Sequence, residues 1–332
     1  MKLSFVELKD LFRDKLLKYN FTNDNAETLS EIFTDNTFSG VESHGINRFP
    51  GFIQCAVNGS VKVDASPSKI NSFGAFERWD GNYGAGPLNA LQMTDRGIEL
   101  AKQYGIGCIA LQNSNHWMRA GYFGWCAADR GFILICWTNT IPNLPPWGAK
   151  EATTGNNPLV IGIPKKGGNI VLDMAMSQFS YGTMLNFERE GRKLPFPGGF
   201  DGEGKLTDNP GEIISSQRPL PIGYWKGASL SLTLDILASL LSGGRATKDL
   251  SESEDEMGPS QIFIVINPTM FSEESENDNL INEIILYFKS AGTLDEKTKI
   301  YYPGEIALSK KRKNIKEGIE LDEKILQKVK EL

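Results

Sequence analysis

The sequence is poor in cysteine and has only two histidines among its 332 residues. Cys55, Cys108, Cys126 and Cys136 lie far apart and form no C-x-x-C pair, which argues against a disulfide framework and against a cysteine zinc site. Two histidines cannot supply a three-histidine zinc site either. We therefore expect no metal, and we expect the cysteines to be reduced residues of the core.

The chain also lacks long apolar runs and an excess of positive charge. Its apolar stretches are shorter than the roughly 20 residues that a membrane helix needs, and the opening MKLS is unlike a signal peptide. Lysine and arginine total 35 against 41 acidic residues, so the net charge of −6 has the wrong sign for a protein that neutralises phosphates. This composition predicts a cytoplasmic protein that binds neither membrane nor nucleic acid.

Several catalytic motifs are missing. The absence of G-x-S-x-G, H-E-x-x-H and G-x-x-x-x-G-K-[ST] argues against the common hydrolytic and phosphoryl-transfer templates. The segment 105–110 does match G-x-G-x-x-A, but it follows a predicted helix and enters a predicted strand, whereas a dinucleotide-binding turn leaves a strand and opens a helix. We interpret it as the end of a helix.

Helix and strand patterns alternate along most of the chain, which is typical of an α/β fold. Because hairpin and crossover signals coexist, we expect a mixed sheet. Apolar periodicity predicts helices over 4–20 (with Ser4 as N-cap), 25–40, 51–60, 87–104, 122–130, 226–241, 273–290 and 321–332, and a further helix through Met184 and Glu190. It predicts strands in a hairpin over 69–81 and at 108–112, 132–139, 159–163, 169–175 and 261–266.

We divide the chain into three parts. Residues 1–60 form an N-terminal helical part, residues 61–268 a mixed-sheet core for cofactor and substrate, and residues 269–332 a C-terminal helical part that packs back on the same unit. Both terminal helices carry apolar faces that one sheet cannot easily cover, which favours a homodimer. The residues of these faces are Phe5, Leu8, Phe12 and Leu16, and Leu321, Ile325 and Val329.

Three segments stand out by composition. Arg192–Gly223 is rich in glycine and proline without periodicity, and we expect an ordered loop that covers a site. The acidic run 251–257 is expected to be a surface loop. The basic run 310–313 is interpreted as a solvated face rather than a phosphate site, since the chain is acidic overall.

Both histidines lie in polar segments. His44 stands in SGVESHGINRFP, and His116 stands in QNSNHWMRAG after a predicted strand. Imidazole suits proton transfer near neutral pH, but a hydrogen-bonded structural role is about equally compatible with the residues alone. Arg48 follows His44 by four residues, and its guanidinium could bind a carboxylate bidentately or form a salt bridge with Glu42 or another surface acid.

With these motifs in view, the whole chain resembles the malate/L-lactate/ureidoglycolate/sulfolactate dehydrogenase family, which is unrelated to the Rossmann dehydrogenases. The resemblance is carried by SGVESHGINRFPGFIQ, QNSNHWMRAGYFGW, CWTNTIPNLPPWGAKE, SQFSYG, LPFPGGFDGEGKLT and LPIGYWKGASLSLTLD. It implies an NAD(P)-dependent reduction of a ketone next to a carboxylate, on a three-layer α/β fold of the sulfolactate dehydrogenase type, in a homodimer.

The segments SQFSYG and 192–223 favour the branch that reduces 2,3-diketo-L-gulonate to 3-keto-L-gulonate. Another 2-oxo acid, as in malate or ureidoglycolate chemistry, is the first alternative. A catalytically silent binding paralogue is the second. The resemblance implies that His44 donates the proton and that Arg48 holds the carboxylate. Because His116 has the acid/base role in some relatives, the choice between the two histidines stays open.

The resemblance also implies cofactor contacts in three places. These are Asn169, Ile170, Val171, Leu172, Asp173, Met174 and Ala175 on a strand, Trp225 and Lys226 at a helix start, and Gly304, Glu305 and Ile306 near the C-terminus. The chain departs from the family pattern at the third place, where glutamate and not histidine follows Gly304.

Elementary chemistry bears on these cofactor contacts. Asp173 could accept ribose hydroxyls and would repel a 2′-phosphate, which favours NAD over NADP, or it could cap a nearby helix. Lys226 could meet a pyrophosphate at a helix N-terminus. Trp225 could stack on a flat ring or be an ordinary core residue.

Overall fold

The computed structural model describes residues 2–251, 257–296 and 298–332. The strands are β1 (Lys2–Leu3), β2 (Ser68–Phe73), β3 (Phe76–Asp80), β4 (Ile106–Gln112), β5 (Ile133–Thr138), β6 (Leu159–Ile163), β7 (Ile170–Met174), β8 (Gly199–Phe200), β9 (Leu206–Thr207), β10 (Gln261–Ile266) and β11 (Ile319–Glu320). The helices are α1 (Phe5–Lys18), α2 (Asn23–Phe38), α3 (Phe49–Val57), α4 (Gly86–Tyr104), α5 (Gly121–Ala128), α6 (Tyr181–Arg189), α7 (Pro210–Ser216), α8 (Trp225–Ser242), α9 (Thr247–Leu250), α10 (Glu274–Lys289), α11 (Glu305–Glu317) and α12 (Glu323–Glu331). Short 3₁₀ turns lie at Glu42–His44 and Pro268–Met270.

A seven-stranded mixed sheet in the order β2-β3-β4-β10-β5-β6-β7 forms the centre of the fold. Only β3 and β4 pair in parallel, and the other neighbours are antiparallel. The central strand β10 is the apolar run QIFIVI, which is typical of a strand that is buried on both faces. The predicted mixed α/β sheet is thus confirmed, and β7 is an edge strand.

Helices cover both faces of this sheet and make three layers. Alternate residues of β4 show the division: Ile109 and Leu111 pack with α4 and α5, whereas Ala110 packs with α8. This alternation follows from the two-residue period of strand side chains. Gly105 ends α4 in the left-handed conformation (φ +82°), so the segment 105–110 is a helix C-terminus that leads into a strand, as predicted.

The two chain ends pack on each other, and this corrects the argument for a dimer. Leu8, Phe12 and Leu16 are fully buried in a cluster that also contains Leu321 and Val329. The Phe12 and Phe49 rings within it lie 4.3 Å apart. The terminal apolar faces therefore cover each other and leave no surplus. Exposed apolar side chains occur in several elements, and α8 and α10 each carry at least five of them.

Two stretches hold more regular structure than the sequence predicted. The segment 192–223, expected to be a loop, contains the β8–β9 pair and α7. The sequence did not predict these elements because the segment has too few apolar positions to show a period. Helix α11 was missed, and it carries the basic run 310–313. Lys311 of that run pairs with Asp35, so the run is only partly a solvated face. Most of the acidic run 251–257 lies outside the described residues.

Within the described ranges, no helix is both long and apolar enough to cross a membrane. The same part of the chain contains no cluster of three or more histidine, cysteine or acidic side chains that could hold a metal ion.

Candidate active site

The turn that carries His44 is fastened to α2. Asn36 Nδ2 donates to the His44 carbonyl oxygen at 3.0 Å, and Ile46 N–H donates to Thr37 Oγ1 at 3.0 Å. Gly45 lies so close to α2 that a β-carbon there would stand 2.3 Å from Thr37 Oγ1. The G of the SHG segment is therefore required by close packing, and the turn fixes the position of the imidazole.

The loop that carries His116 is held just as firmly. Asn115 Nδ2 contacts three carbonyl oxygens, those of Ser60, Tyr83 and Gly84, at 2.8 to 3.1 Å. A β-carbon on Gly86, at the start of α4, would stand 2.4 Å from the His116 carbonyl oxygen. These contacts place His116 at the end of β4, where the sequence predicted a polar loop.

The two imidazoles face each other across one cleft. Their ring centroids are 5.8 Å apart and their planes differ by 20°. The Nδ1 atom of His116 accepts the Met118 N–H at 3.1 Å, so a neutral His116 ring carries its proton on Nε2. The Nδ1 atom of His44 lies 2.9 Å from Ser43 Oγ.

Electrostatics distinguish the two rings. Burial lowers the pKa of His116 well below its usual range, and Arg48 and His44 lower it further. Burial also lowers the pKa of His44, and Arg48 and Arg119 act in the same direction, but the Asp173 carboxylate opposes them. Among the described residues, Asp173 is a carboxylate that stabilises the protonated form of His44, and no carboxylate acts on His116 in this way.

Arg48 lies in the lining of the same cleft, exposed at the start of α3. The ion pairs of the described chain include none for Arg48, so the alternative of a salt bridge to Glu42 is not realised. A free guanidinium beside two imidazoles can bind an anionic group.

The opposite wall of the cleft is the edge strand β7. Val171 N–H donates to the Pro303 carbonyl oxygen at 3.0 Å, which brings the turn before α11 against the strand. Gly304 has φ +92°, and a β-carbon there would lie 3.0 Å from Val171 N. Two of the three predicted cofactor segments therefore meet in space, although Val171 and Gly304 are 133 positions apart.

Not every residue predicted to contact the cofactor lies at this wall. The residues that do line the cleft, together with His44, Arg48 and His116, are Val171, Leu172, Asp173, Ala175, Gly304 and Ile306.

The other predicted contacts have different surroundings. Asn169 lines a neighbouring cavity and forms hydrogen bonds with Asp129 and Lys165. The Glu305 carboxylate accepts a hydrogen bond from Lys289 at 2.6 Å. Ile170 and Met174 are strand residues outside the lining, with Met174 packed beside the α8 core cluster. Trp225 and Lys226 begin α8 away from the cleft, and Trp225 is 60% exposed, so it is not a core residue.

The sequence allowed Asp173 either to cap a helix or to face a ligand, and its carboxylate is placed for both. Its Oδ2 accepts the Gly121 N–H at 2.9 Å at the start of α5, and Gly121 has no room for a β-carbon there. Its side chain is nevertheless 29% exposed and lines the cleft. The carboxylate is thus held by a helix start and still faces the site.

The far end of the cleft is built by the SQFSYG segment. Ser180 caps α6, and a β-carbon on Gly182 would lie 2.7 Å from the Ser43 β-carbon, so α6 starts directly against the His44 turn. Tyr181 Oη donates to the Asn143 carbonyl oxygen at 3.2 Å. Hydroxyl and amide groups here can bind the hydroxyls of a sugar acid.

Sequence reasoning missed two charged residues of this region. Arg119, within the NHWMRAG segment, is 6% exposed and lies between Asp35 and Asp173 at 3.8 and 4.0 Å. The signal for Asp35 was the run Thr34–Thr37, in which polar residues occupy all sides of a helix. All four are buried, which indicates polar partners rather than solvent.

The cleft has a volume of about 1540 Å³, above the roughly 300–1,000 Å³ of single small-molecule sites. It can therefore take a small substrate and a dinucleotide together. The Asp173 carboxylate and the close approach of Gly304 to β7 fit a cofactor along this wall.

Comparisons with known proteins agree with this architecture. The model of the malate/L-lactate dehydrogenase family matches residues 3–330. Relatives from Escherichia coli and Klebsiella pneumoniae, each named 2,3-diketo-L-gulonate reductase, are 45% and 44% identical over the full length of both chains. Malate dehydrogenase from Entamoeba histolytica superposes with a TM-score of 0.94 at 27% identity, covering 100% of this chain and 96% of that one. Sulfolactate dehydrogenase from Methanocaldococcus jannaschii does so with a TM-score of 0.87 at 29% identity, with the same coverage.

Proposed function

Because this chain belongs to the malate/L-lactate dehydrogenase family, we propose that it reduces 2,3-diketo-L-gulonate to 3-keto-L-gulonate with NADH. The chain is an oxidoreductase of 2-oxo acids, and the names of relatives at 45% identity favour this substrate. The observation that carries the proposal is the shared cleft, in which His44, His116 and Arg48 face the β7 wall.

The arrangement divides the work between three side chains. Arg48 holds the substrate carboxylate, which brings the adjacent C2 carbonyl between the two imidazoles. His116, with its proton on Nε2, donates a hydrogen bond to the carbonyl oxygen and orients it. His44 transfers its proton to that oxygen, because the Asp173 carboxylate favours its charged form.

A nicotinamide cofactor supplies the hydride for C2 when it is bound. Val171, Leu172, Asp173 and Ala175 of the β7 wall would hold it together with Gly304 and Ile306. Asp173 would accept hydroxyls of a ribose and repel a 2′-phosphate, which favours NAD over NADP. Trp225 and Lys226 begin α8 outside the lining of this cleft, so they would not hold a cofactor bound within the same chain's cleft.

We further propose a homodimer, now on different grounds. Helix α8 exposes a row of apolar side chains, and apolar surface of this kind is typical of an interface. These are Leu230, Leu232, Ile236, Leu237 and Leu240. A second copy of the chain covering α8 would also place Trp225 and Lys226 at the subunit boundary. Sedimentation of the parent and of Leu240→Asp tests this: a dimer that the substitution dissociates is expected, and a monomeric parent would contradict it.

The proposed reaction is tested by NADH and NADPH oxidation with a panel of 2-oxo acids. The highest kcat/KM is expected for 2,3-diketo-L-gulonate with NADH. Oxaloacetate or the oxidised product of ureidoglycolate as the best substrate would favour the malate or ureidoglycolate alternative. No turnover with any acid, combined with measurable ligand binding, would favour a catalytically silent paralogue.

A further inference from the structure

A line of charges, buried at Asp35 and Arg119, runs from α11 through α2 to strand β7. The Asp35 carboxylate accepts a hydrogen bond from Lys311 Nζ, and Ser39 Oγ donates to its Oδ1 at 3.3 Å. The same Oδ1 lies 3.8 Å from Arg119 Nη1, and Arg119 Nε lies 4.0 Å from Asp173 Oδ2. One guanidinium is therefore shared by two carboxylates.

Arg119 is bonded tightly to neither carboxylate. Its distances of 3.8 and 4.0 Å exceed the roughly 2.7–2.9 Å of charge-assisted hydrogen bonds. Its Nη1 is buried and has no hydrogen-bond acceptor in the described part of the chain. A buried guanidinium at nearly equal distance from two carboxylates can close on either one, so each carboxylate restrains its approach to the other.

The two carboxylates differ in what surrounds them. Asp35 is 6% exposed, lines the neighbouring cavity and has Lys311 as a second cation. Asp173 faces the cleft, and among the described residues the one hydrogen bond to its carboxylate comes from the Gly121 N–H to Oδ2. If Arg119 closed on Asp173, it would occupy the oxygens that are open to a ligand.

We propose that Asp35 is a positioning residue that holds Arg119 away from Asp173 and so keeps the Asp173 carboxylate open to the ribose hydroxyls of the cofactor. This inference rests on the proposed function, which places the cofactor along β7. Asp35 acts through Arg119 and is not itself a residue of the cleft lining.

NADH binding without substrate, followed by fluorescence titration of the full-length protein, tests this role. Asp35→Asn should weaken NADH binding at least tenfold, because Arg119 then pairs with Asp173. The kcat at saturating NADH should fall as well, because an Asp173 carboxylate paired with Arg119 no longer favours the charged form of His44. Asp35→Glu should restore the affinity to within threefold of the parent. The control Asp95→Asn, which removes a surface ion pair with Arg130, should leave NADH affinity unchanged.

The double variant Asp35→Asn/Arg119→Gln separates positioning from general destabilisation. Without the guanidinium, Asp173 is open again, so NADH affinity should recover at least threefold relative to Asp35→Asn. Parent-like binding by Asp35→Asn, or no recovery in the double variant, would overturn the inference and leave the proposed function intact. A parent that binds neither NADH nor NADPH would overturn both.

If Asp35→Asn does not fold, Arg119→Gln alone gives the answer. Its NADH dissociation constant should stay within threefold of the parent, since no cation then competes for Asp173. A tenfold loss would show that Arg119 contacts the cofactor directly and would overturn the inference.

Discussion

The turn with His44 and the loop with His116 present the same side chain to one cleft in different surroundings. Each is fixed by hydrogen bonds from asparagine side chains, from Asn36 and Asn115 respectively. The Nδ1 of His116 accepts a backbone N–H, and its charged neighbours, Arg48 and His44, disfavour protonation. His44 has the same arginine nearby but also the Asp173 carboxylate. Burial lowers the pKa of both rings most, and the nearby Asp173 carboxylate is what distinguishes His44, the proposed proton donor, from His116, the proposed hydrogen-bond donor.

Removal of His44 should have the largest effect on activity. His44→Asn should lower kcat by a hundredfold or more, the usual scale for the loss of a positioned acid. The fold should survive, because the contact with α2 uses the His44 backbone oxygen and not the ring. Steady-state kinetics and a melting curve measure both effects. Activity within a few-fold of the parent would transfer the donor role to His116.

Removing His116 should cost less. His116→Asn should lower kcat/KM about tenfold, because it loses one hydrogen bond to the carbonyl, which corresponds to about 1.4 kcal/mol. The same kinetic assay compares the two histidine variants side by side. A larger loss in His116→Asn than in His44→Asn would reverse the assignment.

Arg48 should affect substrate binding rather than proton transfer. Arg48→Lys should raise the KM for the 2-oxo acid several-fold with little change in kcat, since an ammonium cannot reproduce the guanidinium fork. The matched control is Arg189→Lys. Arg189 lines the same cleft, but it already has an acidic partner, since its Nη1 lies 3.7 Å from Asp322 Oδ2. An unchanged KM in Arg48→Lys would mean that Arg48 is structural.

The smallest effect concerns stability. Because the pKa of His116 is lowered in the folded protein, its neutral form contributes stability above the unfolded pKa of about 6.5, and that contribution is lost as the pH falls below it. Between pH 7 and pH 5 the parent should therefore lose roughly 1 kcal/mol more stability than His116→Asn. Urea unfolding at both pH values measures this. Equal losses would mean that the pKa of His116 is the same in the folded and the unfolded protein.

The sequence predicted the helices and strands with clear periods well. Helix α1 with its Ser4 cap, the β2–β3 hairpin and the central strand β10 all occur within a few residues of their expected bounds. Helix α11 was missed because its solvent-exposed residues, with a basic run, hide its weak apolar period. A single-sequence pattern reports burial, and where burial is partial the signal is lost.

The sequence predicted those site residues that stand out locally, and it missed contacts between residues that are distant in the sequence. His44 and His116 were candidates because they are the two histidines of the sequence and lie in polar segments, and both line the cleft. The approach of Gly304 to Val171 depends on a contact between distant segments, which no local pattern contains. Arg119 and Asp35 were missed for the same reason, since their pairing joins residues 84 positions apart.

The pH dependence of kcat/KM for reduction tests whether His44 is the proton donor, because a donor must be protonated in the free enzyme. Since burial lowers the pKa of His44, activity should fall as the pH rises, with a midpoint below 6.5. Asp173→Asn should move that midpoint to still lower pH, and His116→Asn should keep the same falling limb. A limb that persists in His44→Asn and disappears in His116→Asn would contradict the account.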